Sequence, residues 1–150
     1  MTPLNPITPN NSNEKSTRPR VLLVEPDLDV LADTTLLLSR SKYTVAPASS
    51  YSEIFGLRSE IGFGLAILND SLGGLALRAA AEFVRRQWPS ARILILGNAQ
   101  AALDDYLYDE VVKHRIEPAE LLDTLARMSE DSWTLRSRLL GQRFARHNPT

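Results

Sequence analysis

Cysteine is absent from the chain, which excludes a disulfide framework, a thiolate nucleophile and zinc-finger sites, and suits a reducing compartment. An excess of either charge is also missing. Seventeen Lys and Arg stand against eighteen Asp and Glu, a formal net charge of -1, so nothing draws the whole protein to DNA, RNA or anionic lipid. No apolar run approaches the length of a membrane span, and the opening "MTPLNPITPNNSNEKSTRPR" lacks a signal-peptide core. The expectation is a soluble cytoplasmic protein with no membrane role. A glycine-rich phosphate loop is missing as well. The segment that would carry it after the first apolar run reads "EPDLD" and is acidic, which disfavours nucleotide binding there.

What remains is 150 residues, 43% hydrophobic and 23% charged, enough for one compact domain with a real core. Residues 1–18 are rich in Pro, Asn, Thr and Ser, with too few large apolar residues to offset the entropy of ordering them, and read as a flexible tail. From Arg20 the pattern changes. "RVLLVEPD" is a buried strand closed by Pro26, and Asp27 can cap a helix in which Leu28, Leu31, Thr35 and Leu38 recur at helical spacing, ending near Arg40. "YTVAPA" follows as a second strand, Ser50 to Ile61 as a short helix, and "GLAILN" as a third strand. That third strand is apolar at nearly every position, the mark of cover on both faces.

Ala76, Ala80, Phe83 and Val84 line a further helix that Pro89 stops. "RILILG" is the fourth strand and "DEVVK" the fifth, and Pro118 opens a final helix with Leu121, Leu122, Leu125 and Met128 facing inward. Strands alternating with helices imply a doubly wound parallel sheet with right-handed crossovers. In such sheets chemistry gathers beyond the carboxyl ends of the strands. Those corners are Glu25-Pro26-Asp27, Asn69-Asp70, Gly97-Asn98 and Lys113-His114.

At these corners residues 20–129 resemble the receiver domain of bacterial response regulators. "VLLVEPDLDVL" is similar to that family's first strand and acidic turn, "GLAILNDSLGG" to its third strand and loop, "RILILGNA" to its fourth strand, and "DEVVKHRIEPAELL" to its fifth strand and last helix. The resemblance implies a five-stranded flavodoxin-like sheet in the order 2-1-3-4-5. It also implies a site in which an aspartate on the third corner is phosphorylated, paired acids on the first hold Mg²⁺, and a Ser or Thr on the fourth and a Lys on the fifth attend the phosphoryl group.

This chain departs from that pattern at nearly every corner. Glu25 is one acid, but Pro26 stands where the second is expected and offers no oxygen to an ion that wants several. Asn69 occupies the phosphoacceptor position, and a neutral amide is not a carboxylate nucleophile. Gly97 replaces the hydroxyl residue, and Val111 stands where receivers usually carry a switching aromatic. The lysine corner has two registers, Lys113 or His114. Lys113, His114 and Arg115 form either a solvated turn or a remnant anion contact. Alternation along a strand turns Asp70 away from the rim if Asn69 points into it, so Asp70 could substitute as acceptor only if the strand ended early.

The interval from Gly97 to His114 is short for the family, leaving "AQAALDDYLY" room for only a truncated fourth helix. Beyond Ser129, Trp133, Leu139, Leu140 and Phe144 lie among Arg136, Arg138, Arg143 and Arg146, so residues 130–150 read as a basic amphipathic extension and an extra C-terminal helix. That segment could pack on the domain or dock a partner, and nucleic acid is the weaker choice because no helix-turn-helix-sized domain remains. The expectation is a degenerate receiver that binds a protein partner in signalling, needs no Mg²⁺ or other cofactor and is not an enzyme, with homodimerisation open. Its rivals are a response regulator phosphorylated on Asp70 and a small-anion-binding flavodoxin-like module.

Overall fold

The computed structural model describes residues 18–57, 61–97, 103–113 and 116–141, with side chains described as far as Ser129. The elements in chain order are β1 (Arg20–Val24), α1 (Leu28–Arg40), β2 (Thr44–Ala48), α2 (Tyr51–Ile54) and β3 (Leu65–Asn69). A 3₁₀ turn (Asp70–Leu72), α3 (Gly74–Gln87), β4 (Arg92–Leu96), a second 3₁₀ turn (Asp105–Leu107), β5 (Glu110–Val112) and α4 (Pro118–Gly141) complete the order. All four strand pairings are parallel and the sheet order is β2-β1-β3-β4-β5. This is the doubly wound arrangement expected from the alternating pattern.

The sheet is covered on both faces, which is why Val21–Val24 of β1, Leu65–Leu68 of β3 and Ile93–Leu96 of β4 are apolar at every position instead of alternating with polar residues. Leu22, Val24, Ala66, Leu68, Ile93 and Ile95 point to one side, where α2 and α3 supply Ile54, Leu77, Ala80, Phe83 and Val84. Val21, Leu23, Leu65, Ile67, Leu94 and Leu96 point to the other, where α1 and α4 supply Leu38, Leu121, Leu125 and Met128. Each fully buried aliphatic side chain contributes about 1.5–3 kcal/mol. Together they hold the strand ends, and therefore the rim, on a rigid base.

Local chemistry sets the element boundaries. Asp27 caps α1, its Oδ1 accepting from the N–H groups of Asp29 (3.0 Å) and Val30 (3.2 Å). Ser50 caps α2, its hydroxyl accepting from Glu53 N–H at 3.4 Å. That helix ends at Ile54 rather than running to Ile61, because Gly56 N–H already bonds the Glu53 carbonyl in a tight turn. Residues 58–60 of the expected helix lie outside the described residues, as do residues 1–17 of the expected tail.

Leu28 shares the helical spacing of Leu31, Thr35 and Leu38 but is 67% exposed. It is the first residue of α1, and Leu31 and Leu38 carry the inward face. On α3, Ala76 is only half-buried, and its neighbour Leu77 takes the core position. Leu122 is likewise half-buried, whereas Thr124 is buried and bonds back to the Glu120 carbonyl at 2.9 Å.

The shortened crossover between β4 and β5 is described from Leu103 onward as an extended entry and a single 3₁₀ turn. Leu103 and the wholly buried Leu107 plug the core from this segment. Arg78 of α3 reaches Asp104 (Nη2 to Oδ2, 3.0 Å), a hydrogen bond that raises the guanidinium pKa above its usual value. Arg85 donates to the Tyr106 carbonyl at 3.0 Å, and Asp109 accepts from the Ile93 N–H at 2.7 Å. Among the described residues of this crossover, two leucines fill the core and two arginines of α3 hold the segment from outside. The C-terminal end also differs from expectation. As far as Gly141, residues 130–141 are not a separate helix but the continuation of α4, which at 24 residues extends roughly 36 Å. Residues 142–150 lie outside the described residues.

If Leu107 anchors the crossover, Leu107→Ala should cost about 2–5 kcal/mol as a cavity-forming substitution. Tyr106→Ala, at a position 63% exposed, should change stability by no more than about 0.5 kcal/mol. Urea unfolding midpoints at constant slope measure both, and equal effects would show that the turn is not pinned by Leu107.

Candidate functional site

The carboxyl ends of β1 and β3 lie side by side, with Val24 opposite Leu68, so the next residues of the two strands, Glu25 and Asn69, meet at the rim. Both are buried, at 3% and 8% exposure. Asn69 Nδ2 donates to Glu25 Oε1 at 2.6 Å. The other oxygen, Oε2, accepts from the Asp27 backbone N–H at 3.1 Å, and the Glu25 N–H itself bonds the Ala48 carbonyl at 2.9 Å. The Asn69 side chain works at both ends, its Oδ1 accepting from the Ser71 N–H at 2.8 Å. An amide can donate and accept at once, whereas an ionised carboxylate can only accept.

Both Glu25 oxygens therefore have protein donors, and the Asp27 carboxylate caps α1. Pro26 between them brings no side-chain oxygen. Mg²⁺ requires near-octahedral oxygen ligands; at the first and third corners Glu25 is engaged by two donors, the Asp27 carboxylate caps a helix, residue 69 is a neutral amide, and Asp70 is the third carboxylate. Among the described residues, no group of three or more His, Asp or Glu side chains is arranged to hold a metal ion.

Asp70 is where the structure corrects the sequence reading. Strict alternation would turn its side chain away from the rim, but the chain leaves the strand at Asn69 and enters a 3₁₀ turn at Asp70. The Asn69 side chain accepting from Ser71 N–H closes that turn, and beyond it alternation no longer applies. The Asp70 carboxyl group lies flush against Gly97, at the end of β4. A Cβ at Gly97 would overlap its Cγ and both oxygens. Gly97 also has φ +128, a backbone conformation that L side chains rarely adopt. The missing hydroxyl of the fourth corner is thus matched by a carboxylate occupying the vacated space.

Gly97 N–H bonds the Val112 carbonyl at 2.7 Å, which ties this corner to β5. Val111 is half-buried against the α3 side of the core, and Val112 against the α4 side. Lys113 is exposed and borders an open groove of about 570 Å³ between β5 and α4, lined also by Ile116, Glu120 and Asp123. His114 and Arg115 lie outside the described residues, as does Asn98. Sequence reading missed the contact between Asp70 and Gly97 and the role of the Ser71 N–H. The signal for the second was present in "NDSLGG", since an Asn two residues before a free N–H is a turn former.

No protein-family model and no curated protein sequence matches the chain. Solved structures do. The signal receiver domain of an HD domain-containing protein from Pseudomonas fluorescens superposes with a TM-score of 0.71 at 23% identity, covering 83% of this chain and 96% of that one. A CheY-like response regulator receiver domain protein from Methanospirillum hungatei gives 0.70 at 17% identity, over 79% and 98% of the two chains. A response regulator from Thermotoga maritima in complex with Mg²⁺-BeF gives 0.64 at 19% identity, over 73% and 98%.

The pairing of Glu25 with Asn69 generates a direct test. Asn69→Asp removes the donor that Glu25 Oε1 depends on and sets a second carboxylate against it. In the absence of divalent cations the variant should lose about 2–3 kcal/mol, the scale of a buried charged group left without its partner. Chemical denaturation at neutral pH reads this, and an unchanged midpoint would show that the hydrogen bond is dispensable. The chain has the five-stranded fold of response regulator receiver domains, with an amide where that resemblance expects the phosphorylated aspartate.

Proposed function

We propose that this chain is a phosphorylation-independent receiver-like module that acts in signal transduction by binding a protein partner, and that it is not an enzyme. One observation carries the reading: the Asn69 amide donates to the buried Glu25 carboxylate at 2.6 Å. A neutral amide stands where a carboxylate nucleophile would, and one N–H of its nitrogen is committed to Glu25. The carboxylate that would hold Mg²⁺ is committed in return. The donor set does not fit Mg²⁺.

A module without chemistry acts through its surface. Among the described residues no helix is long and apolar enough to cross a membrane, which agrees with a role in solution, and a cytoplasmic location belongs to this proposal. The exposed apolar side chains Leu28, the first residue of α1, and Leu75, the second of α3, sit on the rim, and the groove between β5 and α4 lies beside it. These surfaces are where a protein partner would read the fold.

A second reading has an observation in its favour. Asp70 does reach the rim, and an acyl phosphate on Asp70 would make the chain a working response regulator. Against it, the Asp70 carboxyl group rests on Gly97 and Asp27 caps a helix, so a metal beside Asp70 would draw no ligand from Pro26 and only an engaged one from Glu25. A small-anion site at Lys113 has no such observation behind it.

Incubation with Mg²⁺ and acetyl phosphate should leave the intact mass unchanged. Mg²⁺ and beryllofluoride should leave the amide spectrum unchanged. An added phosphoryl group that disappears in Asp70→Ala would overturn the proposal in favour of the second reading.

A further inference from the structure

Three contacts join the corners of this sheet into one line. Asn69 holds Glu25 and, through its Oδ1, closes the turn that begins at Asp70. That turn is reinforced by Gly73 N–H bonding the Asp70 carbonyl at 3.1 Å. Asp70 in turn covers the backbone of Gly97 so closely that no side chain could stand there. Gly97 then donates to the Val112 carbonyl of β5 at 2.7 Å. Val112, with Val111, Ile116 and Thr124, lines the groove between β5 and α4.

The fit between Asp70 and Gly97 is mutual. The carboxyl group can occupy this place only because residue 97 has no Cβ, and residue 97 can hold φ +128 at little cost only because it is glycine. β5 is a three-residue edge strand with a neighbour on one side only. So short an edge has few bonds of its own to fix it, and what rests on the β4 end matters correspondingly more.

We propose that Asp70 is a built-in wedge: its carboxyl group, seated on Gly97, holds the β4 and β5 ends in one arrangement and thereby keeps the groove between β5 and α4 in a single, permanently formed shape. This rests on the reading above, because a rim wedged by its own side chain needs no added group to set its output face. Asp70 is then a positioning residue, acting on the groove through Gly97 and Val112. Asn69 positions it in turn, since the turn that aims Asp70 is closed by the Asn69 side chain.

Amide hydrogen exchange on the full chain tests the wedge. In Asp70→Ala the Gly97, Val111 and Val112 amides should exchange at least about tenfold faster, while those of Val21 to Val24 keep their rates. Asp70→Asn, which preserves shape, should stay within about twofold of the unsubstituted chain. Unchanged exchange at Gly97 and β5 in Asp70→Ala would overturn the wedge. If Asp70→Ala instead loosens every amide alike, a thermodynamic cycle with Gly97→Ala decides. The backbone strain of that substitution is common to both backgrounds, so its shift in unfolding midpoint should be smaller when Asp70 has been removed. Equal shifts would overturn the proposal. A phosphoryl adduct on the unsubstituted chain would sink the functional reading, whereas unaltered β5 exchange in Asp70→Ala sinks only the wedge.

Discussion

A carboxylate almost wholly withdrawn from water must be met by donors, and in this protein that requirement organises the rim. Glu25 is placed there by the strand that ends at Val24, flanked by β2 and β3 and 3% exposed. A bound cation would be one way to satisfy it. The chain instead uses two protein donors, the Asn69 amide and the Asp27 N–H. Two carboxylates at that separation would repel strongly in a site so poor in water. The asparagine is therefore more than the absence of an aspartate: it is a residue type that can donate to the buried Glu25 carboxylate.

That substitution then propagates through local geometry. Since the amide oxygen remains free to accept, Asn69 can also close the following turn on Ser71, and the turn carries Asp70 onto the end of β4. The glycine at 97 reads in isolation as a lost hydroxyl. In the structure it is the space the Asp70 carboxyl group fills. Asn69, Asp70 and Gly97 are consequently one packing solution rather than three separate departures from the receiver pattern.

Much of the fold was legible because its signals are physical and local. Uninterrupted apolar runs in β1, β3 and β4 announced a sheet covered on both sides, and Asp27 and Pro118 marked helix starts that the structure keeps. The corners of the rim followed from the winding alone. What escaped were features set by neighbours distant in sequence. Leu28 matches the helical spacing of α1, but whether its turn lies over the sheet or past its edge is decided by the register of α1 on β1. The second helix stops at Ile54 because the backbone turns at Gly56, although its apolar spacing continues. Asp70 was misread because strand alternation was carried one residue beyond the strand, into a turn whose cause, the Asn69 side chain, was visible in "NDSLGG". The separate C-terminal helix was expected from a change in composition at Ser129, yet composition does not break a helix. No proline stands between Pro118 and Gly141 to do so.

The same interdependence bears on how such a site could change. An aspartate at 69 could still accept from the Ser71 N–H, but it would remove the donor from Glu25 and set a second carboxylate against it. A serine or threonine at 97 would meet the Asp70 carboxyl group and the strain of φ +128 together. An acid at 26 would reach a Glu25 whose oxygens are already engaged. Each single replacement is opposed by the residues packed around it, so fitting a standard receiver site to this rim would need several changes at once. Under the proposed reading such a site is held by packing, and what it offers a partner is the surface that this packing maintains.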